Sequence, residues 1–207
     1  MSRPSTLTTT SYAILSLLAV KSWSTYELTQ QMERSMNRFW PRAASKLYEE
    51  PKKLVEHGLA RAKQERVGRR PRTVYAITPK GRRALARWLK DPGAGPVLEF
   101  EGLLKVTFAE NGTRDDVLRT LDAISAWAKE RNVENLAAAR AYTSGTGPFQ
   151  QRVAINSLGG RFFTDFYAMV AQWEEWARSQ VEQWPDDPRD AVVDQAEIAE
   201  TVRRATW

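Results

Sequence analysis

The opening part of the chain is patterned as a series of amphipathic helices, in which apolar residues recur every three or four positions. Thr8 stands where a side chain would cap the free amide groups of the first helix. Ser24 and Glu27 have the spacing of a capping box, so we predict a second helix from about Thr25 to Met36. Pro41 ends this pattern, because proline lacks the amide hydrogen that a helix interior requires.

A third helix is predicted from Arg42 to His57, with Leu47 and Leu54 on its apolar side. Pro51 lies inside this helix and removes one backbone hydrogen bond, so we expect a kink or a loosened turn with helix on both sides. Gly58 stands where a residue with left-handed backbone commonly ends a helix.

After Gly58 the period of the pattern changes from that of a helix to that of a strand. The stretch Arg72–Thr78 is rich in β-branched and aromatic residues and predicts a strand, and a weaker alternation over Leu59–Val67 predicts its partner. The turn between them contains Arg69 and Arg70, so the predicted hairpin has a basic tip.

A fourth helix is predicted to follow the hairpin. Thr78 would cap it, and Pro79 suits its first position because the missing amide hydrogen costs nothing there. We expect Leu85, Trp88 and Leu89 to form its buried side. Three helices, a two-stranded wing and a fourth helix are the elements of a winged helix-turn-helix.

The chain is predicted to have two domains and a mainly α fold. A linker rich in proline and glycine is expected at 92–98, between the winged helix-turn-helix at 1–91 and an α-helical dimerisation domain at 99–207. The first domain contains 19 Lys and Arg against 7 Asp and Glu, whereas the remainder contains 12 against 18. We therefore expect the first domain alone to meet a polyanion.

The residue content excludes most enzyme chemistries. Cysteine is absent and His57 is the single histidine, so thiolate chemistry, histidine-based triads and multi-histidine metal sites are excluded. The adjacent carboxylates Asp115-Asp116 and Glu174-Glu175 point different ways on helices and form no working pair. We predict no catalytic residue, no metal ligand and no cofactor. No signal-like or membrane-spanning apolar segment is found, which predicts a cytoplasmic protein.

The winged helix-turn-helix binds double-stranded DNA by placing its third helix in the major groove and its wing along the backbone. Residues near the start of the third helix, Arg42, Ser45 and Lys46, are candidates for base contacts. Tyr48 is either a further contact or a core residue. Expected contacts to phosphate or the minor groove are Lys52, Lys53, Arg69, Arg70, Arg72, Thr8, Thr9, Thr10 and Tyr26.

The last long helix presents a stripe of mostly aromatic residues spaced like a coiled-coil seam. The residues of this seam are Ile155, Leu158, Phe162, Phe166, Met169, Trp173 and Trp176. Two long helices do not enclose such a surface, so we expect a symmetric partner to cover it. Two alternatives remain: an intrachain core, and an aromatic cage for a planar ligand. Gly159 and Gly160 would permit close approach of another backbone.

Segments of the N-terminal half are similar to the PadR family of transcriptional regulators: Leu7–Leu18, Ser24–Leu28 and Phe39–Leu59. Phe100–Ala109 resembles the opening of the helical domain of the longer branch of that family, which is like that of virulence activator alpha proteins. The resemblance implies a homodimer on a palindromic operator, acting as a repressor and released by a small aromatic effector. The alternative is a winged-helix module that binds protein or RNA without operator specificity.

Overall fold

The structure is a computed structural model that describes residues 6–41, 44–67 and 70–206, and the side chains of these residues other than 44–46, 67 and 70. The chain divides into two compact units, the first ending at Pro96 and the second beginning at Val97. The helices and strands are α1 (Thr9–Val20), β1 (Trp23–Ser24), α2 (Thr25–Ser35), α3 (Ala44–Glu56), β2 (Ala60–Val67), β3 (Arg70–Ile77), α4 (Pro79–Trp88), α5 (Glu101–Thr107), α6 (Arg114–Thr143), α7 (Val153–Val181) and α8 (Gln195–Ala205).

The strands of the first unit form one antiparallel sheet in the order β1-β3-β2. The predicted hairpin is confirmed, with a register that runs from Ala60 opposite Ile77 to Val67 opposite Arg70. Strand β1 was not predicted; its Trp23 pairs with Tyr75 of β3. The wing therefore supplies the central strand and one edge strand of a three-stranded sheet.

The predicted helix starts are confirmed by their caps. Thr8, Ser24 and Thr78 each accept a hydrogen bond from a backbone amide three residues on, which satisfies one of the unpaired donors of a first turn. Gly58 has a φ of 68°, the left-handed conformation predicted for the end of the third helix. Helix α3 continues through Pro51, whose ring is fully buried.

The core of the first unit lies where the first three helices meet, and its fully buried members include Ile14, Leu18, Leu28 and Leu54. The buried side predicted for the fourth helix is partly wrong. Leu89 is 66% exposed, because α4 ends at Trp88 and Leu89 is its C-terminal cap.

Leu85 is buried as predicted, and Ala84 is buried beside it. Trp88 is half-buried and stacks on Tyr12 of α1, with ring centroids 5.1 Å apart and planes at 3°. These contacts fix α4 against the first helix of the unit.

The second unit is built on α6 and α7, which pack along each other as an antiparallel pair. Thr113 caps α6 in a capping box with Asp116. The core residues that the two helices share are Val117, Leu121, Ile124, Ala128, Val170, Ala177 and Val181. Within residues 6–41, 44–67 and 70–206, no helix is long and apolar enough to cross a membrane.

Candidate nucleic-acid interface

Helix α3 is anchored in the first unit by one side. Leu47, Pro51 and Leu54 are buried on that side. The hydroxyl of Ser11 donates a hydrogen bond to the carboxylate of Glu50 at 2.6 Å, which joins the first turn of α1 to the middle of α3. These contacts set the rotation of the helix about its axis and so decide which residues face outward.

The Lys53 ammonium lies 3.6 Å from the same Glu50 carboxylate, and both side chains are 14% exposed. Sequence reasoning placed Lys53 among the phosphate contacts. In the structure its charge compensates a mostly buried carboxylate, so we leave Lys53 out of the interface that we propose below. The i, i+3 spacing of Glu50 and Lys53 was a signal of this pairing.

The outward side of α3 is polar. Tyr48, Glu49 and Lys52 are all exposed, and the Lys52 ammonium lies 3.0 Å from the Glu49 carboxylate. Tyr48 was interpreted as either a DNA contact or a core residue. The second interpretation is wrong, because Tyr48 is 42% exposed. Tyr48 and Lys52 are four residues apart and lie on neighbouring turns of one face.

Several of the predicted DNA contacts are residues or side chains that the structure does not describe. Arg42 and Arg69 lie outside the described residues. Positions 45 and 46 belong to the first turn of α3 and position 70 begins β3, but the side chains of Ser45, Lys46 and Arg70 are not among those described.

The wing carries more cations than sequence reasoning singled out. Arg61, Lys63 and Arg66 of β2 are exposed. Side chains alternate between the faces of a strand, so Arg61 and Lys63 lie on the face opposite buried Ala60. In the sequence, the alternation of cationic and other residues along β2 could have indicated these exposed cations. Arg72, which was predicted, lies 3.3 Å from Glu65 on the neighbouring strand and is partly neutralised by it.

The starts of α1 and α2 offer fewer groups than predicted. Thr8 and Thr9 are exposed, although the Thr8 hydroxyl is engaged in the cap. Thr10 is buried and its hydroxyl accepts a hydrogen bond from the Trp40 indole at 3.3 Å, so Thr10 is an internal contact. Tyr26 is 65% exposed, and its hydroxyl lies 2.6 Å from the side-chain amide nitrogen of Gln30, which donates to it.

The capping box of α2 has an electrostatic consequence. The backbone amide of Ser24 donates to the Glu27 carboxylate at 2.7 Å, and the Ser24 hydroxyl accepts from the Glu27 amide at 3.3 Å. The hydrogen bonds from Ser24 lower the pKa of Glu27 below its ordinary value of 4.5, and the nearby charges of Arg72 and Lys21 lower it further. The first turn of α2 therefore keeps a carboxylate beside the wing.

The aromatic seam of α7 is mostly uncovered within one chain. The residues that α7 buries lie on a different side and include Tyr167, Val170 and Ala177. The exposed seam residues are Ile155, Leu158, Phe162, Met169 and Trp176. The intrachain core that was the alternative explanation accounts for Phe166 and Trp173, which are partly buried against the core. A Cβ atom built on Gly159 or Gly160 would meet nothing within 4 Å among the described residues.

A groove of about 730 Å³ lies in the second unit, along α5 and the first half of α6. Its aromatic lining is Phe100, Phe108 and Trp127. The rings of Trp127 and Phe166 also meet in a T-shaped contact, with centroids 6.3 Å apart. The groove and the seam of α7 are therefore adjacent. Among the described residues, no group of three or more His, Cys, Asp or Glu could hold a metal ion.

The packed helices, the polar side of α3 and the cationic hairpin define the first unit as a winged helix-turn-helix, a class of domain that many DNA-binding proteins use. Residues 14–87 match the Transcriptional regulator PadR-like family. The chain therefore carries a domain of this family.

Two curated relatives are similar to this domain. The chain is 34% identical over 82 residues to the probable transcriptional regulator Rv1176c of Mycobacterium tuberculosis and 32% identical over 79 residues to the negative transcriptional regulator PadR of Bacillus subtilis. The matches cover 39% and 38% of this chain. They span less than half the length of these relatives, 43% in each case.

Solved structures share the fold over both units. Bacillus subtilis PadR in complex with operator DNA superposes with a TM-score of 0.69 at 22% identity, over 84% of this chain and 99% of that chain. The same protein is known in complex with p-coumaric acid, with a TM-score of 0.66 at 20% identity over 84% and 95% of the two chains. The Vibrio cholerae virulence activator AphA superposes with a TM-score of 0.56 at 21% identity, over 83% of this chain and 97% of that chain. At these identities the likeness establishes the fold.

Proposed function

We propose that this chain is a sequence-specific transcriptional regulator that binds double-stranded operator DNA as a homodimer. The observation that carries the proposal is the polar, outward side of α3, which lies opposite the buried side formed by Leu47 and Leu54. A helix anchored in this way presents one face to the major groove, where base edges differ in their hydrogen-bond donors and acceptors.

The interface that we propose divides into two parts. Arg42, Ser45, Lys46 and Tyr48 contact base edges from the first half of α3, and Lys52 contacts phosphate. The remaining phosphate or minor-groove contacts come from the wing and the helix starts: Arg61, Lys63, Arg66, Arg69, Arg70, Arg72, Thr8, Thr9 and Tyr26. The excess of cations in residues 1–91 supports this assignment.

The dimer is proposed from the second unit. Five exposed apolar residues on one side of a single helix, three of them at least 59% exposed, form a surface that a second copy would cover. The open space beside Gly159 and Gly160 suits the approach of a partner helix. A two-fold dimer of this class places its two reading helices about 34 Å apart, one turn of B-DNA, and so reads a palindrome.

We propose repression as the outcome of binding, since occupation of an operator blocks access to the adjacent DNA. The similarity of residues 14–87 to a domain of a regulator named as negative supports this choice. Fusing a reporter gene to an operator recovered by selection tests it, because a repressor lowers expression and an activator raises it.

The effector that we propose is a small aromatic acid that binds in the groove lined by Phe100, Phe108 and Trp127. Bacillus subtilis PadR is known with p-coumaric acid, which is a molecule of this kind. Lys105 and Arg119 line the groove and supply cations for a carboxylate, although each is paired with a neighbouring acid. Release from DNA requires that the acid bind one arrangement of the dimer more tightly than the other.

The experiment that tests the proposed function is selection of bound sequences from a pool of random DNA duplexes, using the full chain. Enrichment of a palindrome supports it. Enrichment of no sequence contradicts it and favours the alternative of a module that binds protein or RNA. In the selected duplex, replacing Arg69 and Arg70 by Ala should weaken binding to all sequences equally and lower the salt dependence by about one unit of slope for each cation removed.

A further inference from the structure

Glu49 stands in the middle of the outward side of α3. It follows buried Leu47 by two residues and precedes buried Leu54 by five, which places it about 200° and about 140° around the helix from them. Its side chain is 72% exposed, whereas that of the adjacent Glu50 is 14% exposed and contacts Ser11 and Lys53. The two neighbouring carboxylates therefore have different surroundings, and that of Glu49 faces away from the core.

An outward carboxylate on a helix that meets DNA is electrostatically unfavourable, because the phosphates are a dense line of negative charge. The Lys52 ammonium, 3.0 Å away, offsets part of this repulsion and holds the carboxylate in place. The carboxylate retains acceptor capacity beyond this ion pair, and a base edge that donates a hydrogen bond to it would offset more of the repulsion.

The four bases differ in what they offer such a group in the major groove. Cytosine presents the N4 amino group, a donor, and a carboxylate accepts from it. Guanine presents two acceptors and thymine presents an acceptor and a methyl group, so both disfavour a carboxylate. Adenine presents a donor beside an acceptor, which suits an amide that both donates and accepts better than it suits a carboxylate.

We propose that Glu49 is a specificity-determining residue that selects a cytosine in each half of the operator by accepting a hydrogen bond from its N4 amino group. Lys52 orients the carboxylate through their ion pair. This inference rests on the proposed function, since it needs α3 to lie in the major groove.

The test compares the wild-type chain with Glu49→Ala, Glu49→Gln and Glu56→Gln in selections from the same random duplex pool. Glu56 is the matched control, because it is an exposed acid seven residues further along the same face, at the end of α3 that leaves the groove. Circular dichroism and thermal unfolding establish that each variant is folded.

The wild type and Glu56→Gln should enrich cytosine at one position in each half-site. Glu49→Ala should bind duplexes with other bases there almost as well, a loss of about tenfold in discrimination. Glu49→Gln should change the preference to adenine, which a residue with a purely structural role would not do. Enrichment by the wild type together with an unchanged preference in both Glu49 variants overturns this inference and leaves the proposed function standing. Enrichment of no sequence by the wild type overturns both.

Discussion

The Ser11 hydroxyl donates to the Glu50 carboxylate across 39 residues of sequence, at 2.6 Å. Ser11 is fully buried and Glu50 is nearly so, and Lys53 completes the pairing. This contact joins α1 to the helix that we propose to read DNA. Because a buried carboxylate is held in a defined geometry, the outward direction of Tyr48, Glu49 and Lys52 follows from it.

Replacing Ser11 by Ala should lower the free energy of unfolding of the first unit by about 1.5–3 kcal/mol, because the mostly buried Glu50 carboxylate loses a hydrogen bond and the Thr8 backbone amide loses its acceptor in the capping box. Calorimetry of the full chain measures the change. Ser16→Ala is the matched control, since the Ser16 hydroxyl donates within α1, to the Tyr12 carbonyl at 2.8 Å. The control should change stability by a few tenths of a kcal/mol. Equal effects in the two variants would show that the link to Glu50 contributes nothing.

The carboxyl of Glu27 should titrate below 4.5, because the hydrogen bonds from Ser24 hold its pKa below the ordinary value. A depressed folded-state pKa stabilises the fold above pH 4.5, and this contribution is lost as the pH falls through the folded-state pKa. Carbon-13 NMR of the side-chain carboxyl follows the titration directly. Ser24→Ala removes the hydroxyl but keeps the backbone amide, which is the larger cause of the lowered pKa, so it should move the midpoint only part of the way toward 4.5. A wild-type midpoint at 4.5 would refute the assignment.

Placing a charge on the seam of α7 should separate the protomers. Leu158→Glu and Phe162→Glu replace side chains that are 74% and 59% exposed in one chain, so neither disturbs the fold of the monomer. In the dimer each would bury a carboxylate among apolar residues, which should weaken dimerisation more than about 100-fold. Sedimentation equilibrium measures the association.

The control for the seam is Ala168→Glu. Ala168 is exposed on α7 and lies two residues after Phe166, about 200° around the helix. The Ala168→Glu substitution should leave the association of the protomers unchanged. A seam variant that associates as tightly as the wild type would place the dimer contact elsewhere.

Filling the groove of the second unit should block the effector. Ala123 is exposed and lines the groove, so Ala123→Trp fills it without entering the core. Calorimetric titration with p-coumaric acid should show affinity about tenfold weaker than for the wild type. Ala137→Trp, at an exposed position of α6 outside the groove lining, should bind like the wild type. Absence of p-coumaric acid binding to the wild-type chain would refute this effector.

Features that depend on neighbouring residues could be predicted from the sequence. The caps at Thr8, Ser24 and Thr78 each involve a partner three residues on, and all are found. The hairpin likewise follows from a change of period at Gly58. These elements suffice to predict a winged helix-turn-helix, because their order is characteristic of it.

Features that depend on distant partners could not be predicted. Strand β1 is two residues long and has no periodicity; it exists because Trp23 pairs with Tyr75. Leu89 continues an apolar pattern beyond the point where α4 ends. The spacing of Glu50 and Lys53 signals their ion pair, but the burial of Glu50 depends on the packing of α1 against α3.

The site was predicted in outline, as a polar face on the third helix beside a basic wing. Sequence reasoning gave Glu49 no role. The helical spacing places Glu50 on the side of Leu47 and Leu54 and Glu49 away from it, but the partner that holds the Glu50 carboxylate there is Ser11, and that contact is set by the packing of α1 on α3.

The most direct test of a dimer that reads a palindrome through α3 is the affinity of the full chain for two versions of the selected duplex. The second version has five base pairs inserted between its half-sites, which rotates one half-site by about half a turn. For such a dimer, the insertion should lower the affinity to that of a single half-site. Equal affinity for the two duplexes would contradict it.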